Sequence, residues 1–391
     1  MPRIMKCIAC ALIVSIMPIF GAQAVLSVAP LVDDVPINIH CKSALLMEES
    51  SGQIIFEMNA DEKRPVASVV KMMTILMCLE AIESGRISLA DSVTISKNAS
   101  GMGGSQVLLD TGEIQTLDIL LKSAIVGSAN DASVAISEHI YGSEELFVKE
   151  MNKKAEVLGM TNTHFVNCTG LPAEGQHTTA RDVARMSEIL FDYDLYYDFS
   201  TIWMDKVDHK DGRITDLTNT NRLIRLYDGC DGGKTGSTNE AGYCISATAK
   251  RGGMRLIAVV LGAETGSDRF DTAEKMLDYG FANYRINTVA EKGARIKGEI
   301  PVKNGQKESV PLVLNDNLTL LMNKAESADI ELKPNLPEYL KAPFQKGERV
   351  GSVDVIRNGR TIAEIGVVTM EGAQRQGFSD VWRRVWREWG L

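Results

Sequence analysis

The chain has 391 residues, of which 45% are hydrophobic and 24% are charged, and its formal net charge is −9. A globular chain of this length predicts two or three domains rather than one. The acidic balance, without a long basic run, argues against a nucleic-acid partner.

Residues 1–24 have the pattern of an export signal. Arg3 and Lys6 precede an apolar run at residues 8–20, and the small-x-small sequence at 22–24 is a signal-peptidase site. We therefore expect an exported protein whose mature chain begins near Val25; an uncleaved anchor is the alternative. The mature cysteines are odd in number and lack C-x-x-C spacing, which predicts buried apolar thiols rather than disulfides or zinc ligands. They are Cys41, Cys78, Cys168, Cys230 and Cys244.

The first elements of the mature chain are a predicted hairpin and a predicted buried helix. Residues 43–47 and 53–56 flank a polar turn, which is typical of antiparallel strands. In the helix predicted at 69–82, apolar residues lie on every face rather than in one stripe, which indicates a buried helix. Ser68 and Lys71 share one face at its start, and a lysine of lowered pKa can activate a serine hydroxyl. A capping serine with an unrelated lysine is the alternative.

A second polar motif, S-x-N, lies between two predicted helices. Residues 93–95 predict a short strand, residues 101–105 a glycine-rich loop, and residues 116–126 a helix. The Ser128 hydroxyl can relay a proton, and the Asn130 amide can hydrogen-bond a ligand. For a single S-x-N taken alone, a helix cap is the more common explanation.

The third motif, K-T-G, comes just before two predicted strands, residues 243–249 and 254–261. Lys234 and Thr235 offer a positive charge and a hydroxyl to a carboxylate, and a strand beside a cleft can pair with an extended peptide. Gly236 permits close approach of another backbone. A turn with a surface lysine is the alternative.

The three motifs in this order resemble the set found in penicillin-binding proteins and serine β-lactamases. The chain is similar to the low-molecular-mass penicillin-binding proteins that act as serine-type D-alanyl-D-alanine carboxypeptidases. Residues 158–165, 170–171 and 177–182 resemble that family's connecting segment. The match is close over about residues 40–285 and looser beyond.

The resemblance implies a β-lactamase-like α/β (α+β) fold, in which an antiparallel sheet and a helical cluster enclose the site. It also implies removal of the terminal D-Ala from peptidoglycan stem pentapeptides through an acyl-enzyme on Ser68, with no metal or cofactor. β-Lactam antibiotics are then covalent inhibitors. In this assignment Ser68 is the nucleophile, Lys71 its base, and Ser128 the residue that passes a proton to the departing D-alanine.

The resemblance also assigns the substrate contacts. Asn130 holds the substrate amide, while Lys234 and Thr235 fix the peptide beside the sheet edge. Lys234 helps to keep Lys71 neutral. The backbone N–H groups of Ser68 and Ser237 form the oxyanion hole, although members often carry histidine where this chain has Ser237.

Three further residues complete this assignment. Arg269 stands where the family binds the terminal carboxylate, with an exposed arginine at a helix start as the alternative. His164 and His177 belong to the connecting segment, and we expect structural roles for them rather than a triad or a metal site.

Two short segments follow a peptidase domain expected at residues 25–283. Residues 284–371 alternate in short runs that predict a small β-rich domain with a spacer or interaction role. Residues 372–391 predict an amphipathic helix with aromatic residues opposite arginines. We expect residues 376–391 to bind the membrane at its extracytoplasmic face, with docking onto the β-rich domain as the alternative.

Two other functions are compatible with the motif set. A β-lactamase needs fast deacylation, and no E-x-x-L-N-type segment lies between Asn130 and Lys234 to supply the extra carboxylate. A non-catalytic β-lactam sensor or wall-binding module would be acylated at Ser68 but would release no D-alanine.

Overall fold

The computed structural model describes residues 38–325, 330–357, 359–378 and 382. The predicted export signal lies outside these residues, as does most of the predicted terminal helix. Within the described part, no helix is both long and apolar enough to span a bilayer.

Residues 38–283 form a mixed α/β unit. Its elements are, in chain order, β1 (Ser43–Glu48), β2 (Ile54–Met58), the 3-10 turn Ala67–Val70, α1 (Lys71–Glu83), β3 (Ser92–Thr94), α2 (Lys97–Ser100), β4 (Ile114–Thr116), α3 (Leu117–Val126), α4 (Asn130–Tyr141), α5 (Glu144–Val157), α6 (Ala180–Phe191), α7 (Asp194–Ser200), β5 (Met204–Asp208), β6 (Ile214–Thr218), α8 (Leu223–Leu226), β7 (Cys230–Thr238), β8 (Gly242–Arg251), β9 (Met254–Ala263) and α9 (Gly266–Asn283).

A five-stranded antiparallel sheet forms the centre of this unit, with the strand order β2-β1-β9-β8-β7. Successive side chains point to opposite faces, so Leu45 packs with the helical cluster and Leu46 packs with α9. Both faces are therefore covered, and β7 is left at one edge of the sheet. The predicted hairpin and the predicted sheet–helix arrangement are confirmed.

The predicted buried helix is confirmed, but its first turn differs from the prediction. Residues Ala67–Val70 form a tight 3-10 turn before α1 begins at Lys71. Ala67 has a φ of 49°, a conformation that non-glycine residues rarely adopt. Most side chains of α1 are buried, on every face of the helix, as its sequence indicates.

The S-x-N and K-T-G motifs lie in other secondary-structure elements than the sequence predicted. Asn130 begins α4 rather than lying within the turn between helices. The K-T-G residues lie in the middle of β7, where Lys234 pairs with Ser246. The alternative of a K-T-G turn with a surface lysine is therefore wrong.

The C-terminal part is all-β, as predicted. Its strands are β10 (Tyr284–Ala290), β11 (Arg295–Lys303), β12 (Ser309–Leu314), β13 (Leu318–Asn323), β14 (Ile330–Asn335), β15 (Leu340–Lys341), β16 (Arg349–Arg357) and β17 (Arg360–Thr369). Six of them form a sheet in the order β14-β16-β17-β12-β11-β15, and β10 pairs with β13. Tyr284 and Leu321 extend into the core beside α9, which connects the two parts of the fold.

Candidate active site

Ser68 and Lys71 form a hydrogen-bonded pair at the start of the buried helix. Lys71 Nζ lies 2.9 Å from Ser68 Oγ and donates a second hydrogen bond, of 2.6 Å, to the carbonyl of Thr169. Lys71 is completely buried, whereas Ser68 is partly exposed. The amine is therefore held beside a hydroxyl that a ligand can reach.

The environment of Lys71 favours its neutral form. Burial lowers the pKa of this amine to about 7, although Cys168 and Asp131 act in the opposite direction. Burial, and then the charges of Lys71 and Arg269, lower the pKa of Lys234 well below its usual value. Since repulsion between two ammonium groups is mutual, the buried pair resists carrying two charges at once.

Two glycines allow neighbouring segments to approach the Ser68 turn. A Cβ added at Gly236 would lie 2.5 Å from the carbonyl oxygen of Val66 and 2.8 Å from the Ser68 nitrogen. A Cβ at Gly170 would overlap the carbonyl of Ala67. The strand β7 and the loop that carries Thr169 thus enclose the Ser68 turn from two sides.

The S-x-N motif lies at the junction of α3 and α4. Asn130 Nδ2 donates to the carbonyl of Gly103 at 2.6 Å, and Asn130 N–H donates to that of Ser105 at 2.7 Å. Asn130 Oδ1 is buried and has no hydrogen-bond partner among the described residues. This oxygen can therefore accept an N–H group from a ligand.

Ser128 is buried and has a φ of 58° in the middle of the junction. In the part of the chain that the structure describes, no hydrogen bond joins its hydroxyl to Ser68 or Lys71. The predicted proton-relay residue thus lies two positions before Asn130 and is not directly bonded to the Ser68–Lys71 pair.

The edge strand β7 presents the K-T-G residues to the same site. Lys234 and Thr235 are buried, and Lys234 Nζ donates to the carbonyl of Thr235 at 3.2 Å. Ser237 is exposed near the end of the strand. One residue before Lys234, the Gly233 N–H donates to the Tyr196 hydroxyl at 3.0 Å, so Tyr196 occupies the edge of β7 at that point.

Arg269 reaches β7 from the first turn of α9. Its Nη1 donates to the carbonyl of Gly236 at 3.3 Å, and its guanidinium packs over the ring of Phe270. Arg269 Nε is buried and has no partner within the described ranges. An exposed arginine at a helix start is therefore the wrong description, because this side chain lies beside K-T-G.

The two histidines contact each other rather than the Ser68–Lys71 pair, whereas the Cys168 thiol faces Lys71. His164 and His177 pair through backbone hydrogen bonds of 2.8 and 3.0 Å. Four of the five mature cysteines are buried and all five are free thiols, as predicted. Among the residues that the structure describes, no group of three or more His, Cys, Asp or Glu could hold a metal.

Sequence reasoning missed three contacts of this site. They are the Thr169 carbonyl bound to Lys71, the Asp131 carboxylate near Lys71, and the Tyr196 hydroxyl on β7. Asp131 directly follows the S-x-N motif and could have been found there. Thr169 and Tyr196 act through tertiary contacts that no local pattern predicts.

Comparison with known sequences identifies families for both parts of the fold. The D-alanyl-D-alanine carboxypeptidase family matches residues 29–265, and the C-terminal domain of penicillin-binding protein 5 matches residues 284–375. The carboxypeptidase DacF of Bacillus subtilis is 39% identical over 349 residues, which cover 89% of this chain and 90% of the relative. DacC of Escherichia coli is 35% identical over 361 residues, with coverages of 89% and 87%.

Solved structures give the same result. The crystal structure of penicillin-binding protein 5 from Haemophilus influenzae is similar with a TM-score of 0.78 at 32% sequence identity. The match covers 88% of this chain and 100% of that one. This chain therefore belongs to the D-alanyl-D-alanine carboxypeptidase family of serine peptidases.

Proposed function

We propose that this protein is a serine D,D-carboxypeptidase that removes the terminal D-alanine from peptidoglycan stem pentapeptides. The observation that carries the proposal is the completely buried amine of Lys71, 2.9 Å from Ser68 Oγ. Burial lowers the pKa of this amine to about 7, so a large fraction is neutral near neutral pH and can accept the hydroxyl proton.

Acylation follows from this pair. As Ser68 Oγ attacks the carbonyl of the D-Ala-D-Ala bond, Lys71 takes its proton. The N–H groups of Ser68 and Ser237 stabilise the oxyanion, each contributing about 3–4 kcal/mol by analogy with other hydrolases. Ser128 passes a proton to the departing D-alanine nitrogen, and water then hydrolyses the ester and restores the serine.

Substrate binding uses the free groups around the pair. The unpartnered Oδ1 of Asn130 accepts an amide N–H of the stem peptide. The terminal carboxylate binds near Lys234, Thr235 and Arg269, where the Arg269 guanidinium lies close to the Lys234 amine. The peptide lies along the edge of β7, where strand pairing supplies backbone hydrogen bonds. β-Lactams acylate Ser68 in the same position.

We also propose where the enzyme acts. Its substrate lies outside the cytoplasmic membrane, which requires export, and the sequence of residues 1–24 supports a signal. Residues 376–391 hold it at the membrane surface; within that segment Phe378 and Trp382 are exposed. The peptidase domain comprises residues 25–283 and the β-rich domain residues 284–371, a division supported by the change to all-β structure at Tyr284.

A product assay tests this function against its two competitors. Mature wild-type protein and Ser68→Ala are incubated with a pentapeptide muropeptide, and released D-alanine is measured; a second sample receives penicillin. A carboxypeptidase releases D-alanine from the pentapeptide and turns penicillin over slowly. Rapid penicillin turnover would indicate a β-lactamase, and stable acylation without D-alanine release would indicate a sensor.

A further inference from the structure

The glycine-rich residues 101–105 begin a longer loop after α2, and the whole stretch 101–110 is called the glycine-rich loop. A buried carboxylate joins this loop to the start of α4. Asp131 is completely buried. Its oxygens accept from the N–H of Val107 at 3.2 and 3.1 Å and from that of Leu109 at 3.1 Å. They also accept from the N–H of Ala132 at 2.9 Å. Hydrogen bonds to a charged group of this kind are among the strong ones in proteins.

The same loop holds the Asn130 side chain. Its Gly103 carbonyl accepts from Asn130 Nδ2, and its Ser105 carbonyl accepts from Asn130 N–H. The loop is thus fixed to α4 at two places, by Asn130 near its start and by Asp131 near its end. Release at Asp131 would loosen the loop that orients the Asn130 amide.

A third contact holds the loop from the opposite side. Thr215 Oγ1, on β6, donates to the carbonyl of Val107 at 3.0 Å, and Arg213 donates to that of Leu108 at 3.0 Å. Val107 is therefore bound through its N–H by Asp131 and through its carbonyl by Thr215. The two contacts can be removed separately.

Asp131 also faces the proposed base. The Lys71 amine is surrounded by Asp131 on α4, the Cys168 thiol on the loop after α5, and the Lys234 amine on β7. Arg269 faces Lys234 from α9, and Glu144 faces Cys168 from α5. Within this group Asp131 and Cys168 favour the charged form of Lys71 and raise its pKa against the effect of burial.

We propose that Asp131 is a positioning residue of the active site, which anchors the glycine-rich loop for Asn130 and places a fixed negative charge beside Lys71. The proposal rests on the proposed function, because it assigns Asp131 an effect on the acylation of Ser68. It predicts two separable consequences of neutralising Asp131: a looser loop and a more readily deprotonated lysine.

Asp131→Asn removes the negative charge with little change of side-chain shape, and the pH dependence of its acylation rate distinguishes these two roles from a mere loss of stability. The acylation rate with a fluorescent penicillin is measured across pH for the wild type and the variant. At high pH the rate should fall about tenfold, because the two loop N–H groups, of Val107 and Leu109, lose their charged acceptor. The acidic limb of the pH–rate profile, where the rate rises as Lys71 loses its proton, should shift to lower pH by about one unit, because the negative charge beside Lys71 is gone.

Asp182→Asn is the matched control. Asp182 is also buried beside a helix start and accepts from the N–H of Asn162 and the hydroxyl of Thr163, but it is not among the groups that face Lys71. This variant should be less stable to heat and yet keep the wild-type acidic limb. Coincident profiles for Asp131→Asn, Asp182→Asn and wild type would overturn the role of Asp131.

Thr215→Val tests the loop if Asp131→Asn does not fold. It removes the hydroxyl that bonds both the Val107 carbonyl and His209 Nε2, and neither of these groups faces Lys71, so the acylation rate should fall while the acidic limb stays in place. Amide hydrogen exchange should become faster at Val107 and Leu109; an unchanged rate and unchanged exchange would reject the anchor. Failure of the wild type to be labelled would reject the proposed function itself, which distinguishes the two failures.

Discussion

In the proposed mechanism, the charge of Lys71 determines when Ser68 can react. Only the neutral amine can accept a proton, and burial brings its pKa to about 7. The neutral fraction increases as pH rises through this value. We therefore expect the acylation rate to rise between about pH 6 and 8 and then to level off.

Lys71→Arg tests this directly. A guanidinium keeps positive charge at the position but does not give up its proton in this range. Acylation by penicillin, followed by stopped-flow labelling, should fall by about a hundredfold or more. Near-normal acylation would transfer the base role elsewhere, with Ser128 as the next candidate.

Arg269 should discriminate between substrates by their terminal charge. Its guanidinium lies beside Gly236 on β7, where a substrate carboxylate would form a strong charged hydrogen bond. Arg269→Ala should reduce hydrolysis of a D-Ala-D-Ala peptide about tenfold more than hydrolysis of the same peptide amidated at its C-terminus. Equal losses on the two peptides would remove Arg269 from the binding site.

At this scale, the sequence predicted the residue types well and their contacts only in part. The Ser68–Lys71 pair could be predicted because three-residue spacing on a helix is local geometry. The carbonyl of Thr169, 98 positions from Lys71, could not be predicted, because the fold alone brings it to the amine.

At the scale of elements, β7 and the Ser68 turn must approach closely for the site to form. Gly236→Ala would place a methyl group 2.8 Å from the Ser68 nitrogen and would push the strand away. We expect acylation to fall by about a hundredfold, as is typical of a small misplacement of reacting groups. Binding of the fluorescent penicillin measures the loss.

Gly266→Ala is a suitable control for this strand prediction. An added Cβ there would meet its nearest neighbour, the Tyr243 ring, at an ordinary 3.5 Å. The control should retain acylation and thermal stability. If Gly236→Ala also retained wild-type acylation, close packing of β7 on the Ser68 turn would not be required for function.

Element types followed from the sequence because hydrophobic periodicity is a local property. A short continuous apolar run is equally local, and the strand β1, which is buried on both faces, is an example. The assignment of K-T-G to the middle of a strand did not follow, since three glycines near Lys234 weaken a strand pattern. Pairing with β8 and packing against the Ser68 turn overcome that low propensity.

At the scale of the whole molecule, catalysis and membrane binding should be separable. The proposed site lies within residues 68–269, whereas Phe378 and Trp382 are exposed and their rings pack edge to face. Removal of residues 378–391 leaves intact the bridge of Arg375 to Gly305. Each buried aromatic side chain should contribute about 1.5–3 kcal/mol to binding at a bilayer surface.

Flotation with anionic liposomes measures this contribution. Full-length mature protein should float at low salt and less at high salt, whereas the truncated form should remain in solution. Hydrolysis of a soluble pentapeptide should be nearly unchanged by the truncation. Equal flotation of both forms would reject the tail as an anchor, and a large loss of hydrolysis would instead support its docking onto the folded domains.

The most direct test of the whole account is the identity of the acylated residue. Wild-type protein and Ser68→Ala are treated with penicillin, digested and analysed by mass spectrometry. The account predicts one adduct, on the wild-type peptide that contains Ser68, and none on the variant. The variant should also lose D-alanine release, at a cost to transition-state stabilisation on the order of 8 kcal/mol by analogy with another serine hydrolase. An adduct that persists in Ser68→Ala, or one mapped to another residue of the wild type, would contradict the central claim.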